Sequence, residues 1–175
     1  MVEDLVNHPF HYAGQGEVEC KDFLKAALAG YEGFTAFCVG NIIKYCWRCH
    51  GKETARSLKS ARWYFNEACD LLRGMDPNEI VRLSLSGRDR AAFCNTAHLQ
   101  GKACTPSGEL YDKVMAQMAV VFDEKEMVFF KNIVDNLVDC GLYRDASFSA
   151  TSSMNTEAFD VVGRMLDAWI IYVDG

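Results

Sequence analysis

An all-α fold of about seven helices is expected from three features of the sequence. Apolar residues recur at spacings of three and four along most of the chain. Alternation with the period of a strand is confined to "VRLSLS" at 81–86. Glycines and one Asp-Pro pair fall where the helical runs stop and start. With 175 residues the chain forms one domain or two small ones. Half the residues are hydrophobic and 12% aromatic, which supplies enough apolar surface for a core and argues against disorder.

Residues 1–17 lack periodicity and contain Asn7, Pro9, Gly14 and Gly16, so they read as an arm. "EVECKDFLKAALAG" (17–30) predicts a short helix with Val18, Phe23, Leu24, Ala27 and Leu28 mostly on one side and Gly30 as its stop. A second helix spans 33–51 and ends at Gly51. A third spans 53–74, with Leu58, Ala61, Tyr64, Phe65, Ala68 and Leu72 at helical spacing and Gly74 as C-cap. The "MDPNEI" after it starts afresh: Asp76 suits an N-cap, Pro77 the first helical position and Glu79 the third. This places a seam near Gly74–Pro77, dividing the chain into 1–74 and 75–175. Helices are expected over 88–101, 105–122 and 123–141. A polar loop comes next over 143–155, then a last helix over 156–173 whose β-branched end could also be read as a strand.

The N-terminal "MVEDLVNHPFHY" has neither a basic nor an apolar region of the kind a signal peptide needs. The longest apolar run, "AWIIYV" at 168–173, falls far short of the roughly 20 residues of a spanning helix. A cytoplasmic protein without membrane contact is therefore expected. The eight cysteines would then sit in a reducing compartment as small buried hydrophobes rather than disulfides.

One stretch tests that reading. "YCWRCHGK" (45–52) contains Cys46-x-x-Cys49-His50, the spelling that attaches a c-type haem and also half of a zinc site. Haem attachment belongs to exported proteins, which argues against it here. Cys46, Cys49 and His50 could point one way on a helix, and Cys94 or His98 could add a fourth ligand. No second CxxC is present, however, so buried thiols are expected, with no metal and no other cofactor.

The net charge of −6 is uneven. Residues 1–74 hold nine basic and nine acidic residues, and 75–175 hold nine basic and fifteen acidic. Non-specific nucleic-acid binding is disfavoured, and any anion site should lie in the first part. On the second helix, Asn41, Lys44, Tyr45, Arg48 and Lys52 fall within roughly a third of the circumference. Phe34, Ile43 and Trp47 are assigned to the apolar side. Three cations along one face suit a phosphate or another small anion. The alternative is a solvated face whose charges pair with neighbouring acids such as Glu53. His8 and His11 flank Pro9 in the arm. They could contact a phosphate or carry a proton, or simply hydrogen-bond helix ends.

Taken together, "NHPFHY", "EVECKDFL", "FCVGNIIKYCWRCHGK" and "LKSARWYF" resemble a family of phage domains of unknown function. That family has an HPxHY-like arm, a GNxxKYxxRxxxK run and a DLxKAxxY helix, and it includes a phage nucleotide kinase of the T-seven type. The resemblance covers about residues 6–72. It makes Cys46 and Cys49 stand-ins for ordinary packing residues. It also implies a phage-encoded nucleotide-binding protein in the host cytoplasm, acting as a metal-independent deoxynucleoside monophosphate kinase. His11, Lys44 and Arg48 would take catalytic roles, and His8, Tyr12, Asn41, Tyr45, Lys52 and Tyr64 would bind the nucleotide. Phosphoryl transfer needs charge neutralisation and alignment, which these residue types can supply. Gly40 also matches the central run.

Two departures support a different class of function. Ser57 and Ser60 stand where the family has Asp and Lys, and residues 75–175 resemble no family. The alternative is a non-catalytic counter-defence protein that sequesters a nucleotide signal, or that docks on and inhibits a host protein through residues 75–175. A homo-oligomer is expected, because helices 33–51 and 53–73 carry more apolar positions than a unit of about 70 residues can hide.

Overall fold

The computed structural model describes residues 18–28, 31, 33–50, 53–74, 108–142 and 152–175. These form six helices: α1 (Cys20–Ala27), α2 (Gly33–Trp47), α3 (Thr54–Gly74), α4 (Gly108–Val121), α5 (Glu124–Leu142) and α6 (Ser152–Asp174). No strand occurs among the described residues. The chain is all-α, and the β-branched end of the last helix stays helical through Asp174. The helix expected over 88–101 lies outside the described residues, as does the capping pattern at Asp76–Glu79.

Each helix buries one apolar row, except α2. Helix α1 buries Cys20, Phe23 and Ala27, with Asp22 in its first turn and Lys25 in its last, as the helix dipole favours. Helix α2 starts at Gly33, whose φ of 51° lies in the left-handed region that glycine adopts without strain. It buries Thr35, Cys38, Val39, Asn41, Ile42, Ile43, Cys46 and Trp47, which spread over most of its circumference. Helix α3 buries Leu58, Ala61, Phe65 and Ala68, with Tyr64 half-buried beside them. Helix α5 contributes Phe130, Ile133, Val134 and Leu137, and α6 contributes Phe159, Val162, Leu166 and Trp169.

α2 packs chiefly on α3, and α6 packs on both α5 and α3. α1 lies on α2, while α5 touches α2 from another side. Helices before and after the expected seam therefore share one core. Part of the apolar excess of the first three helices is covered by α5 and α6. Aromatic rings run through that core. Trp47 meets Phe23 at 6.1 Å and Phe130 at 6.5 Å between centroids, and Phe122 meets Phe130 and Trp169 at 5.4 Å each. Both buried indoles keep their N–H without a hydrogen-bond partner among the described residues.

Polar contacts pin the segments that periodicity does not. Gln117 on α4 is buried and clasps the backbone of Val18, its Oε1 accepting from the Val18 N–H (3.2 Å) and its Nε2 donating to the Val18 carbonyl (3.1 Å). The Tyr31 hydroxyl donates to the Leu137 carbonyl of α5. Asp123 and Glu126 form a capping box at the start of α5. Asp123 Oδ1 accepts from the Glu126 N–H (2.8 Å) and Glu126 Oε2 accepts from the Asp123 N–H (3.1 Å). Arg62 grips Asp167 of α6 with two bonds, at 2.7 and 3.0 Å, across the α3–α6 interface. Helix α6 begins at Ser152, inside the stretch expected to be loop. Ser152, Ser153 and Asn155 are poor in helix interiors but well suited to a first turn.

Gly163 of α6 faces Phe65 of α3, and an added Cβ there would lie 2.9 Å from Phe65 Cε1 and 3.0 Å from Cζ. Alanine should gain about 1 kcal/mol in helix propensity there. Forcing a methyl group against a ring that is itself buried costs about 1–3 kcal/mol. The clash should win. Gly163→Ala is expected to lower stability by about 1 kcal/mol in chemical denaturation, and Gly163→Ala with Phe65→Leu should recover part of the loss.

Candidate functional site

The stripe read from the sequence is the strip of α2 that its neighbours leave open. Asn41 lies deepest in it and is buried. Its Nδ2 donates to the Phe37 carbonyl one turn back (2.8 Å), and its Oδ1 accepts from Lys44 Nζ (2.5 Å). The amide thus orients a lysine instead of projecting outward. Lys44 Nζ lies 4.8 Å from the centroid of the Tyr45 ring, and the Arg48 guanidinium carbon lies 4.3 Å from it. Both cations therefore gather on one phenol. Desolvation, and after it the like charge of Arg48, hold the Lys44 ammonium below the ordinary lysine range, while Cys20 acts in the opposite direction. An anion arriving here would favour the charged form that its surroundings disfavour.

The Tyr45 ring stacks on Tyr64 of α3, with centroids 5.8 Å apart and planes 21° apart. Tyr64 is in turn met edge-on by Phe37 (5.6 Å) and Trp63 (4.8 Å), and Phe34 stacks on Phe37 (5.6 Å). Phe34, Phe37 and Trp63 are 48%, 52% and 54% exposed, which is unusual for rings of this size. Phe34, expected on the apolar side with Ile43 and Trp47, lies on the open strip, while Ile43 and Trp47 are wholly buried. The rotation per residue explains this: Phe34 precedes Asn41, and Phe37 precedes Lys44, by seven residues, close to two full turns. Phe37 and Trp63 escape a reading of the sequence as site residues because large aromatics read as core.

Asn41, Lys44, Tyr45, Arg48 and Tyr64 thus meet on one face. His8, His11, Tyr12 and Lys52 lie outside the described residues. Gly40 sits behind the strip, where a Cβ would come 3.0 Å from Leu28 Cδ1, so the missing side chain is what lets α1 approach α2. On α3, Ser57 is buried, and the Ser60 hydroxyl donates to the Arg56 carbonyl of its own helix (2.9 Å).

Cys46 and Cys49 are free, buried thiols. Burial drives both well above the ordinary thiol range, and burial pushes Cys20 up to about 12. His50 turns one ring nitrogen to the Trp47 carbonyl (3.1 Å), and its ring meets that of Phe122 in a T-shaped contact. No group of three His, Cys, Asp or Glu side chains among the described residues could hold a metal ion. Cys94 and His98 lie outside them. No described helix is long and apolar enough to cross a membrane.

Residues 6–66 match the model of a family described as a protein of unknown function, DUF3310. The match includes the whole described strip, from Phe34 to Arg48, together with Trp63 and Tyr64. No curated protein and no solved structure matches the chain.

A neutral, enclosed thiol is a poor nucleophile. Alkylation of the native protein at mildly alkaline pH, with peptide mapping afterwards, should leave Cys46 and Cys49 unmodified, and both should react once the chain is denatured. Labelling of either in the folded protein at the rate of a free thiol would contradict their placement.

Proposed function

We propose that the protein binds a nucleotide on the open strip of α2, with Lys44 and Arg48 holding its phosphate. The observation that supports this best is the pairing of both cations over the Tyr45 ring. A half-exposed cation–π contact is worth about 0.5–1 kcal/mol. A charge-assisted bond from a guanidinium to phosphate is worth about 1.5–3 kcal/mol. Of these two kinds of contact, the one to phosphate is the stronger. Meanwhile the ring and Asn41 hold the two cations near their working positions.

The likeness of the central run to the kinase-containing phage family supports the same ligand. In its enzymatic form the reading is transfer of a phosphoryl group to a deoxynucleoside monophosphate, with Arg48 and Lys44 neutralising the moving group. A sink that captures a nucleotide signal without turnover is favoured by one specific feature. Ser57 is buried and the Ser60 hydroxyl is bonded back to its own helix, so neither position offers a carboxylate or an ammonium to a reaction.

Calorimetric titration with deoxynucleoside monophosphates tests the binding. Arg48→Ala should weaken it by about ten- to a hundredfold and Arg48→Lys by less, because the planar fork is lost but the charge remains. Affinity should fall as salt rises. If Arg48→Ala instead lowers the melting temperature and leaves affinity unchanged, Arg48 is a structural residue. Labelled deoxynucleotide incubated with ATP then separates the two forms: turnover identifies a kinase, and binding without turnover identifies a sink.

A further inference from the structure

We infer that the exposed rings beside the cations, Phe37 and Trp63 with Phe34 behind them, form a ledge on which the base of a single nucleotide stacks. The inference rests on the nucleotide reading above and adds to it the residues that hold the base. Three rings of this size are each about half exposed on one face, and each touches another ring of the same cluster. Tyr64, met edge-on by Phe37 and Trp63, stacks in turn on the Tyr45 ring that carries the cations. The face is therefore aromatic at one end and carries two cations at the other. That polarity matches a base joined to a phosphate.

The spacing is also suitable. Lys44 reaches back to Asn41, and Asn41 lies one turn beyond Phe37, a rise of about 6 Å along the axis. A molecule lying along α2 with its ring at Phe37 would thus meet an ammonium about one turn away. One feature favours a mononucleotide over a polymer. Glu67 comes one turn after Trp63 and Tyr64 on α3 and continues the face with negative charge. Both ends of the Asn41 amide are already engaged within the helix and are not offered to a base edge. Discrimination should therefore track stacking area, purine before pyrimidine, and not hydrogen bonding to the base edge.

Trp63 makes this measurable. Of the three tryptophans, Trp47 and Trp169 are wholly buried, and Trp63 is 54% exposed. Titration with dGMP should quench the tryptophan fluorescence of the wild type, and Trp63→Phe should lose that signal and bind dGMP somewhat more weakly while keeping its affinity for inorganic pyrophosphate. Phe37→Ser should weaken dGMP binding by about five- to a hundredfold and leave the affinity for inorganic pyrophosphate unchanged. dGMP should bind more tightly than dCMP. If dGMP binds wild type no better than pyrophosphate, or if Phe37→Ser leaves dGMP affinity intact, the ledge is refuted while phosphate binding stands. If neither dGMP nor pyrophosphate binds wild type at millimolar concentration, the nucleotide reading fails and the ledge with it. An oligo(dT) binding more than tenfold tighter than dTMP would overturn the ledge in favour of a single-stranded nucleic-acid surface. A Phe37→Ser variant that changes only the oligomeric state in light scattering would overturn it in favour of a face between copies of the chain. The wild-type quenching experiment decides the matter even if Phe37→Ser does not fold.

Discussion

Helix α2 is enclosed by α1, α3 and α5, and only one strip along it reaches solvent. That enclosure governs which side chains of α2 are open to solvent. A helix buried on nearly every side must be apolar almost all round, so whatever polar groups it carries are forced onto the remaining strip. Asn41 marks the edge of that strip. It is buried, and it is tolerated there because the Phe37 carbonyl and the Lys44 ammonium satisfy its amide. The same bonds draw the lysine back along the helix. A packing requirement thus becomes a placement of charge.

The strip concentrates like charge in a chain whose net charge is −6. Lys44 and Arg48 repel each other, and partial burial makes the repulsion more costly than it would be in water. Lys44 has no salt-bridge partner among the described residues. Elsewhere the charges are conventional: Lys59 with Asp174 at 2.7 Å, Lys131 with Asp135 at 2.5 Å, Arg62 with Asp167. Both cations of the strip also lie against the face of a phenol, which offers partial negative charge.

The fold class and the charged stripe are legible in the sequence, and the surroundings of the stripe are not. Leu58, Ala61, Phe65 and Ala68 fall on one helical row and are all buried, because α3 has one covered side and one open side. Helix α2 lacks that contrast, so its period is blurred, and Phe34 looks like a core residue by its chemistry although its angle places it outside. The start of α6 at Ser152 is hidden because residues that cap a helix also make loops. The clasp of Gln117 on Val18, across 99 residues, and the Tyr31 bond to Leu137, across 106, are tertiary contacts that no local pattern announces. Cys46 and Cys49 show the reverse case. Their spacing suggests a cofactor motif, but it arises from two enclosed positions on α2 and the turn after it.

The serines of α3 connect this packing to chemistry. Ser57 and Ser60 precede Tyr64 by seven and four residues, so they share its side of the helix, toward the connection between α2 and α3. An aspartate at the buried position 57 would need a counterion, and the cations at the end of α2 would be the natural source. Serine asks for none. Ser60 turns its hydroxyl to its own backbone, and Ser57 is small enough to be buried without a charge. Serine at both positions thus offers neither a carboxylate nor an ammonium on this side of α3. If the strip holds a nucleotide as proposed, these two positions supply no acid or base for its turnover, which is the ground on which the capture form of that proposal is preferred.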